Sequence, residues 1–479
     1  MMRAMAGRET VRRAWLGTWR SASGAAAAIV AVAGCAAGGG ISAAATPSAT
    51  PSASAVAPAP STPPSVTAPP DDPWRGLRAQ AKAAHDRGDD AGYRAALAGL
   101  YERSGSAAVL LRLVRADAKM GHTDDAIADL RRYAAAGMVE PIAQDARYAS
   151  LHADPRAAAV ERAMSDNAAP VHHAAGAVAL PHDDLLTEDI AYDPASRGFF
   201  VSSIHRRKVL FVDERGQARV FLEGEPYVGL AVRDGRLYAT FAQLPPTAGF
   251  VASAPHPTGV VAIDPSTRAV VLRAELEAPG EHALTDIAVA PDGLVVASDS
   301  LGGQVVALDA RAAGGSGAGT NGGAGGARLV PFVPAGTFVS PQTPAFVGNA
   351  VLVPDYGRGI AAIDRATRAV AWLAHPPEVA LDGIDGLYAV GSSLVAVQNG
   401  ATPPRVVRLA LDLAGSRVTA LEVLERASPG LGEPTHGVLV GGALHLLADA
   451  GWPRFDDDGH VKKDAPPDAP AIWRIPLDR

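Results

Sequence analysis

The sequence predicts a mainly β fold, a six-bladed β-propeller preceded by a small all-α segment, and three observations predict it. First, a hairpin plan recurs along the C-terminal part of the chain. The copies are EDIAYDPASRGFFVSS from Glu188, VGLAVRDGRLYAT from Val228, TDIAVAPDGLVVASDS from Thr285, TPAFVGNAVLVPDYG from Thr343, DGLYAVGSSLVAVQNG from Asp385 and THGVLVGGALHLLADAG from Thr435. They repeat at roughly 40 to 58 residues, close to the period of a four-stranded blade. Second, most hairpins are followed by a third strand, a turn and a fourth strand, as in GVVAIDPSTRAVVLRAEL and GIAAIDRATRAVAWLA. The Asp-Pro-Ser-Thr-Arg stretch supplies turn chemistry between alternating strands. Third, helix formers fill residues 73–168 and stop before Val171.

In chain order, residues 1–34 read as a targeting segment to be set apart from the fold. Arg3, Arg8, Arg12, Arg13 and Arg20 precede an apolar stretch from Gly24 to Ala33, too short to span a bilayer, which needs about 20 apolar residues. Val32-Ala33-Gly34-Cys35 holds the single cysteine of the chain and resembles the lipobox of bacterial lipoproteins. That resemblance implies a lipid anchor on Cys35 and a place in the bacterial envelope, periplasmic and attached to a membrane. Ala36 after the cysteine, by resemblance to enterobacterial sorting, favours the outer membrane. Arg12-Arg13-Ala14-Trp15-Leu16 resembles a twin-arginine export signal, although ordinary basic leaders also carry paired arginines. One cysteine excludes an intrachain disulfide and a thiolate metal cluster. The net charge of −7 argues against nucleic acid as a partner.

Residues 35–72 are rich in Ala, Ser, Thr and Pro without apolar period and read as a disordered tether. From Asp72-Pro73-Trp74 the pattern turns helical. LLRLVRADAKM and DAIADLRRYAAA flank Gly121, and Ala126, Leu130 and Tyr133 share one helical face. The pair resembles a tetratricopeptide repeat, with a looser pair before it. Such helices serve either as a packing partner for the propeller or as a site for a protein partner.

The propeller is assigned to residues 171–479. Its last copy has three strands, and the apolar segment Ala175 to Pro181 is its expected outer strand, closing the ring. The glycine-rich run Ala312 to Ala327 lacks the context of a phosphate loop and reads as a surface insertion.

The first residue of each inner strand lies at one mouth of the central channel. This places Glu188, Val228, Thr285, Thr343, Asp385 and His436 in an inner ring. Ser203, Asp299, Asp355, Asn399 and Asp449 end second strands and form an outer ring at the same mouth. Thr285, Thr343, Asp299, Asp355, Asn399 and Asp449 are thus expected to line a pocket for a small-molecule ligand. The oxygen-rich set suits a hard divalent cation. Equally, Glu188 and Asp385 suit carboxylates that accept backbone N–H bonds at strand starts, and His436 suits a hydrogen-bonded channel histidine. Asp382 belongs to the turn before Asp385. Asp456 to Gly459 lacks the spacing of a calcium loop, and His172-His173 reads as an exposed junction. No Gly-x-Ser-x-Gly elbow is present, which argues against a serine hydrolase of that type.

The repeat order and the phrases LTEDIAYDP and GIDGL resemble the gluconolactonase/senescence-marker-protein (regucalcin-like) superfamily of six-bladed propellers. That resemblance covers about residues 171–479. It implies a divalent metal (Ca²⁺, Mg²⁺, Mn²⁺ or Zn²⁺) held by Glu188 and Asp385, with Asp385 as general base and His436 as an added catalytic group or ligand. The implied reaction is metal-assisted hydrolysis of a lactone or related ester. Thr285 and Thr343 stand where that family carries asparagines. The alternative is a non-enzymatic envelope protein that binds a partner at the propeller mouth or at the helices.

Overall fold

The computed structural model describes residues 72–143, 145–309, 327–456, 458–465 and 469–478. Cys35, the leader, the tether before Asp72 and the insertion up to Gly326 lie outside them. The helical segment comprises α1 (Pro73–Asp86), α2 (Asp90–Ser104), α3 (Ala107–Met120), α4 (Thr123–Ala135), a 3₁₀ turn (Ala146–Leu151) and α5 (Pro155–Asn167). Helix starts are written in the sequence. Asp72, Asp89, Ser106 and Asp154 each accept a backbone N–H of the first turn, and Pro73 and Pro155 fill first helical positions. Gly121, at φ 76°, ends α3 in a left-handed cap. Leu110, Val114, Ile127, Leu130 and Tyr133 recur at helical spacing and bury into one cluster. Among the described residues no helix is long and apolar enough to cross a membrane.

Two short strands follow, β1 (Val171–His172) and β2 (Ala177–Ala179), and then the blades. Blade 1 is β3 (Thr187–Asp193), β4 (Gly198–Ser203), β5 (Lys208–Val212) and β6 (Ala218–Glu223). Blade 2 is β7 (Tyr227–Arg233), β8 (Arg236–Ala242), β9 (Thr258–Ile263) and β10 (Val270–Glu275). Blade 3 is β11 (Leu284–Val289), β12 (Val295–Asp299), β13 (Gln304–Asp309) and β14 (Arg328–Val333). Blade 4 is β15 (Ala345–Val347), β16 (Ala350–Asp355), β17 (Gly359–Asp364) and β18 (Val370–Trp372). Blade 5 is β19 (Gly386–Val390), β20 (Ser393–Gln398), β21 (Arg405–Leu411) and β22 (Val418–Arg426). Blade 6 is β23 (Gly437–Val440), β24 (Ala443–Ala448) and β25 (Ala471–Pro476).

The ring is a six-bladed propeller, closed as the sequence predicts. β2 pairs antiparallel with β25 through Val178 and Ile472, giving blade 6 its fourth strand. β1 adds a fifth strand to blade 5, pairing Val171 with Arg426. The junction histidines are therefore not idle. His172 is exposed but bonds buried Glu425 at 2.8 Å, and Glu425 also accepts the His173 and Ala174 amides.

The core lies between blades. Phe200, Phe211 and Phe221 of blade 1 meet Tyr227, Leu237 and Phe241 of blade 2. Comparable clusters fill each of the other junctions, the last joining Leu447 and Ile472 to Val201 and Leu210. Each such side chain taken from water contributes about 1.5–3 kcal/mol, so both faces of every blade are held.

The helical segment packs on the mouth side of blades 4 and 5. Ala380 and Ala401 of the propeller belong to the helical core with Tyr133, Ala134 and Met138. The Arg358 guanidinium lies 3.9 Å from the Trp372 ring centre and 5.0 Å from that of Trp74, and it pairs with Asp72. Buried Arg405 donates to Ala136 O at 3.1 Å and to Gln398 Oε1 at 2.7 Å. Asp382, expected to serve a local turn, instead caps α3. Its carboxylate accepts Ser106 Oγ–H at 2.8 Å, Ala107 N–H at 3.0 Å and Ala108 N–H at 2.9 Å.

Candidate active site at the channel mouth

The inner strands of blades 1, 2 and 3 begin with β-bulges. Pairing shifts between Thr187 and Ile190, between Tyr227 and Leu230, and between Leu284 and Asp286. A bulge inserts one residue and re-aims its neighbours. Second-strand hydroxyls accommodate the disturbance. Ser202 Oγ accepts Asp189 N–H and donates to Val228 O of the next blade. Thr240 does the same between Gly229 N–H and Thr285 O. The bulges bring Asp189 and Asp286 into the mouth beside the expected ring residues.

Glu188, Asp385 and His436 are brought together as predicted, with one potential ligand atom of each within 4.8 Å of the others. Their exposures are 4%, 7% and 2%. His436 spans the channel. Its Nδ1 donates to Glu188 O of blade 1 at 2.8 Å, and its Nε2 lies 2.7 Å from Asp286 Oδ1 of blade 3. A carbonyl oxygen only accepts, so Nδ1 carries a hydrogen, and facing an ionised Asp286 the Nε2 carries the second. Burial alone would lower the His436 pKa, but the Asp385, Asp189 and Asp286 carboxylates outweigh it and hold it well above the usual value. Both ring nitrogens of His436 are thus engaged in hydrogen bonds in this arrangement.

The carboxylates show the opposite strain. Burial, with Asp385 beside it, pushes Glu188 well above the ordinary range, against the opposing pull of His436 and Trp452. Burial raises Asp385 to about 6, with Asp286 adding and with His436 and Asn399 opposing. Asp189 rises to about 7, again chiefly through burial. Among the described residues, no lysine or arginine is hydrogen bonded or ion-paired to any of these acids. Asp286 and Asp385 lie within 4 Å of the His436 Nε2 and Glu188 is close by, whereas the Asp189 carboxylate accepts the Ile190 and Leu230 amides at 2.7 Å each. Glu188 Oε2 accepts the Trp452 indole N–H at 2.7 Å, and Asp385 Oδ2 accepts Asn399 Nδ2 at 2.6 Å. Asn399 is steadied by Tyr356 Oη–H at 2.9 Å.

The remaining predicted residues divide. Thr285 and Thr343 sit in the ring, but their hydroxyls donate to Asp286 at 2.6 and 2.8 Å. Val228 packs in an apolar cluster. Asp299 accepts the Ala283 and Gly302 amides and the Gln304 side chain, and Asp355 accepts the Val339 and Gly357 amides. Both carboxylates are thereby committed to loop N–H groups around the mouth. Asp449 takes a left-handed φ of 50° at the end of β24. Asp189, Asp286, Trp452 and Tyr356 join the site beyond the expected ring residues. The first two occupy one column of the repeat, in Glu-Asp-Ile and Thr-Asp-Ile, and that shared column was the available sign.

Trp452 also covers the site. With Ala450 and Phe455 it packs against Leu186, Ile204, Val228, Ala242, Leu244 and Ala283, which lie at strand ends and loops of blades 1 to 3. This segment thus packs on the loops of blades 1 to 3, and the helices pack on those of blades 4 and 5.

No family model matches the chain, and no curated protein matches it. Solved structures do. A calcium-binding regucalcin from Agrobacterium tumefaciens aligns with 65% of this chain and 99% of its own, at 18% identity and a TM-score of 0.43. A gluconolactonase from Xanthomonas campestris aligns with 64% of this chain and 95% of its own, at 17% identity and a TM-score of 0.41. The chain is similar to regucalcin-like and gluconolactonase propellers. The PQQ-bound aldose sugar dehydrogenase from Streptomyces coelicolor is also similar, covering 64% of this chain and 98% of its own at 14% identity and a TM-score of 0.42. At these identities and TM-scores the likeness assigns no role to this chain.

Proposed function

We propose that the channel mouth holds a divalent cation between Glu188 and Asp385 and hydrolyses a lactone or related ester. The observation that carries this reading is the excess of buried carboxylate over positive charge. Glu188 and Asp385 each commit one oxygen to a neutral N–H donor, which orients the pair, and the positive charge nearest them is the His436 imidazole that Asp286 also holds. Oxygen donors of this kind fit a hard cation. His436, Thr285 and Thr343 are engaged with other partners and fall outside the donor set.

A bound divalent ion would supply Lewis acidity toward a substrate carbonyl. Asp385, oriented by Asn399, takes a proton from the attacking water as its oxygen bonds to the carbonyl carbon. When the C–O bond of the ring breaks, the same proton passes to the leaving alkoxide. His436 stays protonated, fixes Asp286 and keeps a positive charge beside the site.

The test is metal analysis of the purified protein, with a lactone and aryl-ester panel in added Ca²⁺, Mg²⁺, Mn²⁺ or Zn²⁺. Asp385→Ala is expected to abolish turnover, lowering kcat and kcat/KM together, and Glu188→Ala to reduce metal occupancy. No bound metal and no activity above the Glu188/Asp385 double variant would reject the reading.

The helices packed on the loops of blades 4 and 5 favour a second reading, an envelope protein that binds or scaffolds through the propeller mouth or the helices without catalysis. A folded, metal-free and inactive protein supports it. Under either reading we place the exported chain in the envelope, anchored through a lipid on Cys35. Mass spectrometry is expected to find acylated Cys35, with Cys35→Ala released from membranes. A wild-type protein that is soluble and unacylated overturns the anchor.

A further inference from the structure

The helical segment touches the propeller in several places, but one contact differs in kind. α1, α2 and α5 are capped by their own flanking aspartates. α3 also has its own cap, since Ser106 Oγ accepts Val109 N–H at 3.2 Å. Even so, Ser106, Ala107 and Ala108 all donate to Asp382, which is distant in sequence. Ser106 and Asp382 are 0% and 5% exposed, so this carboxylate is sealed against the positive end of a helix. Ser106 satisfies only the Val109 amide, so the Ala107 and Ala108 amides depend on this distant carboxylate.

Asp382 lies three residues before Asp385, and the span between them is held throughout. Asp382 O accepts Gln398 Nε2 at 2.7 Å. Gly383 N–H donates to Tyr356 O at 2.8 Å, and Gly383 O accepts Gly400 N–H at 2.9 Å. Gly383, at φ 69°, packs so closely that a Cβ there would meet Gly400 Cα at 2.6 Å. Asp385 N–H donates to Val397 O at 2.9 Å. Tyr356 holds Gly383 by its carbonyl and Asn399 by its hydroxyl, and Asn399 holds the Asp385 carboxylate. A shift at Asp382 thus reaches Asp385 along the chain and through Tyr356 and Asn399.

We infer that the helical segment is a working part of the mouth site, with Asp382 the positioning residue that sets Asp385. The consequence for cation binding rests on the function proposed above, whereas the consequence for geometry does not. Groups that orient a metal ligand typically change metal affinity by roughly 10- to 100-fold when altered.

The experiment compares full-length wild type with Asp382→Asn, Ser106→Ala and His375→Ala. The last removes a different interdomain bond, from His375 Nε2 to Ser104 O at 3.1 Å, and serves as the control for a loosened interface. Two readouts are taken. One is the ring ¹⁵N chemical shifts of His436, whose Nε2 lies 3.9 Å from Asp385 Oδ1 and whose resonances are identified with His436→Gln. The other is calorimetric titration with Ca²⁺ and with Mg²⁺. Asp382→Asn is expected to move the His436 shifts and to weaken cation binding by roughly tenfold or more, while His375→Ala moves neither. His436 shifts at wild-type values in folded Asp382→Asn overturn the inference, whatever the cation result. If Asp382→Asn does not fold, Ser106→Ala decides in its place, and wild-type shifts there overturn it. A wild type that binds neither ion removes the proposed metal, and the His436 shifts still decide the positioning role.

Discussion

Asp382 and Asp385 stand three residues apart on one strap, both buried, in opposite surroundings. Asp382 collects two backbone amides and a hydroxyl at a helix N-terminus. Asp385 has one side-chain amide and shares its space with Glu188, Asp286 and a single imidazolium. Burial of a carboxylate is tolerated where N–H donors converge and is resisted where carboxylates converge. The first arrangement joins two parts of a structure. The second raises its own proton affinity and waits for positive charge, as functional sites commonly do.

Removing the one cation tests the contrast most severely. His436→Gln leaves the acids without their counter-charge and is expected to destabilise the fold by roughly 3–5 kcal/mol in denaturant titration, the size found for broken buried ion pairs. A loss below about 1 kcal/mol would mean that the cluster is already protonated, and the comparison breaks.

Next in size is Asp382→Ala, which strands three donors. It is expected to lose about 2–3 kcal/mol. The Ala107 and Ala108 amides should then exchange hydrogen faster, and unchanged exchange would remove the cap from the account.

Asp385→Asn has the opposite sign. It relieves crowding, so the chelator-treated variant is expected to gain about 1 kcal/mol over wild type, as sites that hold strain for function often allow. Cation binding should fall in the same variant. Destabilisation there would mark Asp385 as a structural acid like Asp382.

These contrasts also show what the sequence could carry. The six hairpins and the closing strand at Ala175 to Pro181 were legible because apolar alternation and turn residues are local. So were Glu188, Asp385 and His436, which open their strands. Asp286 was not, because a bulge adds a residue and breaks the two-residue alternation used to count faces. Asp382 reads as part of a turn because its partners lie on a helix far away in the chain. Trp452 sits in a 3₁₀ turn with no periodic mark. β1 is two residues long, too short to show any period.

The smallest effect concerns a second histidine of blade 6. His445 meets the Phe199 ring and the charge of Arg474 rather than carboxylates, and burial lowers it to about 4. Between that value and the usual 6.5 the unfolded chain binds more protons than the folded one. Stability contributed by neutral His445 is therefore present above the usual pKa and lost as pH falls through this window. His445→Phe should flatten that part of the pH–stability curve, and an unchanged curve would show that His445 protonates freely.

The pairing of Val178 with Ile472 has a consequence in time. The strand that completes the last blade is made early, yet its partner emerges only after the other blades. Contacts between such distant positions are slow to form, since a long loop must close first. Blade 5 is made before blade 6, so its strand β22 is available to pair with β1 before β25 is available to β2. The clip at Val171 then brings β2 near its place before β25 exists. With β1 clipped to β22, closure of the ring by β2 and β25 is a short-range search.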